Sequence, residues 1–262
     1  METTVENSTP QQGKKAPHRG VYVLPNLITS LSMFMGFLCM VWAVQGRFEA
    51  AVYAVFLSAL LDGMDGKVAR LTGTASEFGV QYDSLADLVA FGVAPAMLMW
   101  QWQLEAFGRW GVAVAFIYAA CGALRLARFN VSTSFVSKRF FIGLPIPAGG
   151  CTLATFVLFS GMLPDFLAPA VPYVCFLLVI FVGLLMVSRV RYFSFKEYDF
   201  LRAHPIRSLV GALLALALVY SQPRIFAFLI CALYIAGGII YTLVILPRRN
   251  RQMLRALSST DD

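Results

Sequence analysis

Residues 60–93 read LLDGMDGKVARLTGTASEFGVQYDSLADLVAFGV, and this stretch sets four carboxylates inside or beside strongly apolar runs. The carboxylates form two spaced pairs, Asp62 with Asp65 and Asp83 with Asp87. Residues three or four apart lie on one face of a helix, so each pair is predicted to share a face. The intervening residues 66–79 contain three glycines and predict a bend between antiparallel helices. Such a bend would bring all four carboxylates to one level.

The composition predicts a membrane protein. The chain has 262 residues, of which 59% are hydrophobic and 13% charged, and its mean hydropathy is +0.72. Soluble domains average roughly 25% charged and 45–50% apolar residues. One globular core cannot hide so many apolar groups, so we expect lipid to surround much of this chain.

Runs of about 20 apolar residues are long enough to cross a bilayer, and the bilayer requires them to be helical. Eight runs fit, which predicts an all-α polytopic membrane bundle with about eight transmembrane helices. The runs cover residues 22–44, 49–66, 83–102, 110–129, 144–162, 169–187, 206–221 and 224–246. We expect residues 20–247 to form one membrane domain, without a cleavable signal peptide. Residues 1–19 are predicted to be a disordered cytosolic tail, and 248–262 a basic, flexible one.

The distribution of basic residues predicts the orientation. With the N-terminus in the cytosol, 18 of the 21 basic residues fall in cytosolic segments, and Arg47, Arg109 and Arg224 fall outside. Cytosolic loops of membrane proteins carry such an excess of lysine and arginine. Both termini and the aspartate-bearing helix ends are therefore predicted on the cytosolic side of the cytoplasmic membrane.

Other function classes are disfavoured by the same residues. The net charge is +7, but the basic residues cluster at the ends of apolar segments, which is typical of lipid contact rather than nucleic-acid binding. The five cysteines show no paired spacing, and two distant histidines are too few to found a zinc site.

The aspartates are predicted to bind cations. Two unit charges about 4 Å apart repel by about 4 kcal/mol at an effective dielectric of 20, so four neighbouring carboxylates need protons or bound cations. Two divalent cations would neutralise the four formal charges. Ligation by oxygen, with no histidine or cysteine nearby, favours Mg²⁺ or Mn²⁺, with Ca²⁺ also compatible, over zinc.

The residues between the two pairs suit a diphosphate. Gly66 allows close approach to the backbone, and the guanidinium of Arg70, four residues further along the same face, matches a phosphate. Ser76 adds a hydroxyl, and Gly79 leaves space one turn before Asp83. Two metals with an arginine and exposed backbone would form a pyrophosphate clamp.

This stretch resembles the signature of the CDP-alcohol phosphotransferases at all eight of its positions. The shared pattern is Asp62-x2-Asp65-Gly66-x2-Ala69-Arg70-x8-Gly79-x3-Asp83-x3-Asp87. In that family two metals bind a CDP-linked lipid or alcohol, an alcohol hydroxyl attacks the phosphorus, and CMP leaves.

The resemblance implies a role for each position. Asp62, Asp65 and Asp83 would be metal ligands, and Asp87 would be a metal ligand that also takes the hydroxyl proton. The LPNL segment at 24–27 resembles the nucleotide-contacting start of the first helix in that family. The implied CDP-diacylglycerol site comprises Asn26, Gly66, Ala69, Arg70, Ser76 and Gly79.

Three later stretches resemble the phosphatidylserine synthase branch of the family. They are ALRLARFN at 123–130, FIGLPIPAGG at 141–150 and SRVRYFSFK at 188–196. Arg125 and Arg128 lie three apart near a helix end, so either guanidinium is a candidate for the carboxylate of L-serine. Arginines at a cytosolic helix end also serve as topological anchors, and both interpretations stay open.

Two alternatives accompany the serine prediction. The same chemistry on another acceptor, such as glycerol 3-phosphate or inositol phosphate, fits the aspartate motif equally well. A cation transporter would use intramembrane carboxylates as a pathway, but it favours sites near mid-membrane. A homodimer is expected because members of the family often pair.

Overall fold

The computed structural model describes residues 23–73, 76–132, 140–193 and 220–246, together with the isolated positions 210, 211, 213 and 217. The two predicted tails, 1–19 and 248–262, lie outside the described residues. Most of the predicted span at 206–221 lies outside them as well.

The described residues are mainly helical. In chain order the α-helices are α1 (Val23–Val44), α2 (Phe48–Thr72), α3 (Glu77–Asp87), α4 (Ala94–Trp102), α5 (Arg109–Ser132), α6 (Ile146–Ser160), α7 (Val171–Val187) and α8 (Pro223–Ile240). Two π-helical segments occur at Leu88–Val93 and Tyr241–Ile245, and two 3₁₀ segments at Leu104–Phe107 and Asp165–Ala170.

Within the described part of the chain, five helical segments are long and apolar enough to cross a membrane. They are Leu24–Val44, Glu77–Trp102, Arg109–Val131, Asp165–Val187 and Pro223–Val244. The prediction of an all-α integral membrane protein is therefore confirmed, whereas the count of eight spans is not. Helix α2 is 25 residues long but carries several charges, and α6, with 15 residues, is shorter than a full crossing.

The predicted bend between the two aspartate pairs is much shorter than expected. Helix α2 continues through Gly66 to Thr72, and α3 begins at Glu77 rather than at 83. Gly73 ends α2 with φ of 65°, a left-handed conformation that glycine adopts without strain. Gly66 therefore belongs to α2. An isolated glycine in a helix costs only about 1 kcal/mol, which is too little to end a long helix.

The segment that follows Asp87 departs from regular helix. Residues Leu88–Val93 form a π-helix, and Pro95 stands at the beginning of α4. Because proline has no N–H, the carbonyl of Phe91 cannot receive its α-helical hydrogen bond. The buried hydroxyl of Tyr118, on α5, donates to the Phe91 carbonyl oxygen at 2.9 Å. A side chain from a neighbouring helix thus supplies a partner at the irregular turn next to Asp87.

Replacing Tyr118 by phenylalanine is expected to lower the thermal unfolding temperature. Loss of this hydrogen bond leaves a buried carbonyl without its donor, at a cost of about 1 kcal/mol. For a chain of this size we expect a fall in Tm of about 2–4 °C, measured in detergent. Tyr53→Phe, at a side chain 57% exposed on α2, is the control. Equal Tm values for the two variants would contradict this role of Tyr118.

Close helix contacts around the π segment fix its position. A Cβ atom added to Gly36 of α1 would lie 2.6 Å from the Cα atom of Ala90, so only glycine permits this crossing. On the adjoining face of α1, the hydroxyls of Ser32 and Ser58 lie 2.8 Å apart, and each donates to the other residue's carbonyl at 3.0 Å. Helix α1 is thereby held against both α2 and the segment that follows Asp87.

A short β-ribbon was not predicted from the sequence. Strand β1 (Phe140–Ile142) pairs antiparallel with β2 (Arg191–Phe193), with Phe141 opposite Tyr192. The ribbon joins the start of α6 to the end of α7, and the backbone of Arg191 donates to the hydroxyl of Thr242 at 2.7 Å. These pairings connect segments about 50 residues apart, which local periodicity cannot reveal.

Candidate active site

The two aspartate pairs lie on two different helices. Asp62 and Asp65 lie in the C-terminal half of α2, and Asp83 and Asp87 in α3. Ser76 caps the N-terminus of α3, and its hydroxyl oxygen accepts a hydrogen bond from the Gly79 N–H at 3.0 Å. This N-cap fixes where α3 starts and therefore which of its faces turns toward α2.

Three of the four carboxylates come together. One oxygen from each of Asp62, Asp83 and Asp87 lies within 4.8 Å of the others, and all three residues are half-buried. Asp62 and Asp87 are within hydrogen-bonding distance. We call these three residues the carboxylate cluster.

The carboxylate cluster fits a hard divalent cation. Oxygen ligands of one Mg²⁺ lie at about 2.1 Å from the ion, so they are at most about 4.2 Å apart, and the larger Ca²⁺ tolerates wider spacing. Small side-chain rotations bring oxygens within 4.8 Å into that range. The ligand set is oxygen only, as Mg²⁺ and Mn²⁺ prefer. The residues present therefore fit the predicted metals.

Asp65 is held apart from the cluster by a hydroxyl on α1. It is buried, and its Oδ2 atom accepts a hydrogen bond from Thr29 Oγ1 at 2.7 Å. Its charge still acts on Asp62 and Asp83. Asp65 thus lies at the edge of the cluster, in a fixed orientation.

A cavity of about 200 Å³ opens beside the cluster, between the start of α1, the end of α2 and the start of α3. All six residues predicted to bind the CDP-linked lipid line it, together with two of the aspartates. The lining residues are Pro25, Asn26, Thr29, Asp65, Gly66, Ala69, Arg70, Ser76, Gly79, Val80 and Asp83. Asp83 belongs both to this lining and to the carboxylate cluster.

The two glycines of the lining keep space free. A Cβ atom at Gly66 would meet no heavy atom within 4 Å, so open space adjoins that backbone. A Cβ atom at Gly79 would lie 3.2 Å from the Ser76 hydroxyl and 3.6 Å from the Asn26 side-chain oxygen. A side chain at 79 would therefore crowd two of the polar groups predicted to contact the nucleotide.

Thr29 is a site residue that the sequence did not reveal, and Tyr82 is a neighbour of Asp83 outside the cavity lining. Thr29 lines the cavity and follows Asn26 by three residues, so one face of α1 carries both. Tyr82 lies beside Asp83, and its hydroxyl is 2.7 Å from that of Ser30. The spacing of Asn26 and Thr29 could have indicated that Thr29 faces the cavity. Its contact with Asp65 could not be predicted, because the two residues are 36 positions apart in the chain.

The two arginines predicted for the acceptor lie in different surroundings on α5. Arg125 faces the interior, and its charge acts on Asp87. Arg128 is exposed, and its guanidinium donates to the carbonyl of Val187 at the end of α7, at 3.4 Å. The structure thus brings Arg125 to the carboxylate cluster and leaves Arg128 at a helix end.

Helix α5 is tied to α3 next to the cluster. The side-chain amide of Asn130 donates to the Ser84 hydroxyl at 3.1 Å and to the side-chain Oε1 atom of Gln81 at 3.2 Å. Ser84 lies directly after Asp83. These hydrogen bonds hold the α5 segment that carries Arg125 against the helix that carries Asp87.

Comparison with known proteins identifies the family of this chain. The family model described as CDP-alcohol phosphatidyltransferase matches residues 22–184, which include the cavity and the carboxylate cluster. The chain belongs to the CDP-alcohol phosphatidyltransferase family. The resemblance seen in the eight-position motif is therefore confirmed.

Relatives of this CDP-alcohol phosphatidyltransferase are similar over most of its length. A CDP-diacylglycerol–serine O-phosphatidyltransferase of Helicobacter pylori (strain 26695) is 37% identical over 232 residues, covering 88% of this chain and 96% of the relative. One of Methanocaldococcus jannaschii is 35% identical over 222 residues, covering 85% and 95%. An archaetidylserine synthase of Methanothermobacter thermautotrophicus is 36% identical over 171 residues, covering 64% and 69%.

Replacing Thr29 by valine is expected to weaken metal-dependent activity. Valine keeps the volume but removes the donor to Asp65, so this buried carboxylate loses its fixed orientation. Loss of a hydrogen bond to a metal-ligating group typically lowers metal affinity or activity by about 10- to 100-fold. We therefore expect the Mn²⁺ concentration for half-maximal activity to rise by about the same factor. Thr72→Val, whose hydroxyl donates to the carbonyl of Val68 one turn earlier in α2, is the control. An unchanged Mn²⁺ requirement in Thr29→Val would contradict the role.

Proposed function

We propose that this protein transfers the phosphatidyl group of CDP-diacylglycerol to the hydroxyl of L-serine, giving phosphatidylserine and CMP. The proposal rests on one observation about Asp83: this residue both lines the cavity and belongs to the carboxylate cluster. A diphosphate in the cavity would therefore lie against the metal-binding carboxylates. The names of the relatives have serine as acceptor in common.

The cavity residues suit the CDP diphosphate. The guanidinium of Arg70 can bind two phosphate oxygens, and the N-terminus of α3, capped by Ser76, directs backbone N–H groups and a partial positive charge toward an anion. Gly66 and Gly79 leave room for the diphosphate next to the backbone. Asn26 is available for the nucleotide, and the lipid chains would extend into the surrounding bilayer.

The metals are predicted to be two Mg²⁺ or Mn²⁺ ions held by Asp62, Asp65, Asp83 and Asp87. When bound, they supply positive charge that neutralises the diphosphate and the leaving phosphate of CMP. This chain has the donor set for them, since three of the aspartates already converge and Thr29 orients the fourth.

The transfer step balances as a displacement at phosphorus. The serine hydroxyl oxygen forms a bond to the phosphorus of the phosphatidyl group, and the bond from that phosphorus to the CMP oxygen breaks. CMP leaves with the electron pair, and the hydroxyl proton passes to the carboxylate of Asp87. Asp87 suits this role because it lies at the side of the cluster that adjoins Arg125, the candidate for the serine carboxylate.

We further propose that the site faces the cytosol, with both termini on that side of the cytoplasmic membrane. The positive-inside distribution supports this orientation, and it gives water-soluble serine access to the cluster. The eight-helix count, the membrane domain at 20–247 and the homodimer remain predictions from the sequence and the resemblance.

Purified protein with labelled CDP-diacylglycerol, serine and Mg²⁺ or Mn²⁺ tests the proposal. We expect CMP release that requires both serine and the divalent cation and stops when EDTA is added in excess. Release with glycerol 3-phosphate or inositol phosphate, but not with serine, would correct only the acceptor. Divalent-cation flux into proteoliposomes without CMP release from any acceptor would instead favour the transporter alternative, against which family membership argues.

A further inference from the structure

A second group of polar side chains lies outside the cavity lining. Arg125 of α5 belongs to this group, and its charge acts on Asp87 of the carboxylate cluster and on Tyr234 of α8. Its Nε atom is buried and has no hydrogen-bond partner among the residues that the structure describes. A buried guanidinium nitrogen in this condition is unusual, because native proteins pair nearly all buried polar groups.

Tyr192 extends this group from strand β2. Its side chain is fully buried, and its hydroxyl likewise lacks a hydrogen-bond partner within the described part of the chain. The Tyr192 ring lies 5.4 Å from that of Tyr234, and it packs against Gly238, where any Cβ atom would collide with it. Tyr234 thus contacts Tyr192 and lies within electrostatic range of Arg125, so it links β2 to α5 through α8.

A bound ligand would explain why the Arg125 Nε atom and the Tyr192 hydroxyl lack hydrogen-bond partners among the described residues. A buried donor without an acceptor costs stability, and replacing the tyrosine hydroxyl by hydrogen would avoid that cost at Tyr192. Both groups can donate hydrogen bonds, and Arg125 is positively charged. Donors and one positive charge next to the proposed proton acceptor match a carboxylate carried by a small hydroxyl compound.

We propose that Arg125, Tyr234 and Tyr192 form the subsite that binds the carboxylate of the amino-acid acceptor and so select it. This inference rests on the proposed function, which it extends to two residues outside the family motif. The acceptor's carboxylate lies against Arg125, with the two phenol groups beside it, and its hydroxyl is directed toward Asp87.

The position of the two tyrosines in the chain agrees with a role in acceptor choice. The match to the family model ends at residue 184, and both Tyr192 and Tyr234 lie beyond it. The matched part contains the carboxylate cluster and the cavity lining, which are needed for any CDP-linked substrate. The two tyrosines therefore lie outside the part that the family model describes, whereas Arg125 lies within it.

Tyr192→Phe and Tyr234→Phe test the subsite in the full-length protein. We expect each variant to raise the KM for serine by about tenfold, because a hydrogen bond to a charged carboxylate is lost. The KM for CDP-diacylglycerol and the Mn²⁺ concentration for half-maximal activity should stay within about twofold of the wild-type values. A lost hydrogen bond to either ligand would change them by more than that. Without substrates, Tyr192→Phe should keep or raise Tm, since it removes an unpaired buried hydroxyl. Tyr53→Phe, on the exposed face of α2, is the matched control.

A binding measurement complements the kinetics. Serine added with CDP should raise the Tm of wild type and of Tyr53→Phe, and this rise should be lost in Tyr192→Phe and Tyr234→Phe. An unchanged serine KM and an unchanged serine-dependent Tm rise in both variants would overturn the subsite. So would an equal rise of the KM for both substrates, which indicates only structural stacking of the rings. Absence of CMP release from wild type with serine would instead overturn the proposed function itself, and the subsite with it.

Discussion

Asp87→Asn is expected to lower CMP release by about 10³-fold or more, while the protein stays folded. Asparagine keeps the size of the side chain but cannot take the hydroxyl proton, and general-base catalysis contributes about 10²- to 10⁴-fold. Loss of a metal-binding oxygen adds to the effect. The measurement is the initial rate of CMP release at saturating CDP-diacylglycerol, serine and Mn²⁺.

The same variant has an expected effect of opposite sign on stability. In the metal-free protein the clustered carboxylates repel one another, so removing one negative charge should keep or raise Tm. The rise in Tm that Mn²⁺ gives wild type should shrink in Asp87→Asn. Asp165→Asn, at an exposed position before α7, is the control and should behave as wild type. If Asp87→Asn retained more than about a tenth of the activity, the loss would be too small for a residue that accepts the hydroxyl proton.

Arg70→Gln is expected to lower kcat/KM for CDP-diacylglycerol by about 10²-fold. The guanidinium lines the cavity, and charge-assisted hydrogen bonds to phosphate are worth about 1.5–3 kcal/mol. Arg70→Lys should recover part of this loss, because lysine keeps the charge but not the two-pronged geometry. The KM for serine should change little.

Lys67→Gln provides the matched control for Arg70. Lys67 is exposed on the same helix one turn earlier, and it does not line the cavity. Its loss of charge should leave kcat/KM unchanged at moderate salt. Equal losses in the two variants would mean that Arg70 acts only through general surface charge, and that the cavity does not hold the diphosphate.

Much of the site could be predicted from spacing because that information is local. Asp62 and Asp65 share a face of α2, and Asp83 and Asp87 share a face of α3, as the intervals of three and four residues require. The six residues assigned to the CDP-linked lipid also meet at one cavity. All of them lie in α1, at the end of α2 or at the start of α3, so two successive helix reversals bring them together.

The errors and omissions have a common physical cause. The bend was predicted too long because isolated glycines do not reveal whether packing keeps a helix continuous. The division of the aspartates into a cluster of three and a separate Asp65 depends on Thr29, which is 36 residues away. The difference between Arg125 and Arg128 depends on which neighbours α5 meets, namely Asp87 for the first and the end of α7 for the second.

The sequence by itself determined the membrane class, the helical pairs of carboxylates and the family, because apolar run length and residue spacing are properties of consecutive residues. Only the tertiary structure decided the π-helical turn after Asp87, the β-ribbon, the approach of Arg125 to Asp87 and the contact of Tyr234 with Tyr192. Each of these depends on whether a distant segment supplies a hydrogen-bond or charge partner to a polar group inside the bundle. No local pattern records such pairings, so they become visible only when the helices are packed.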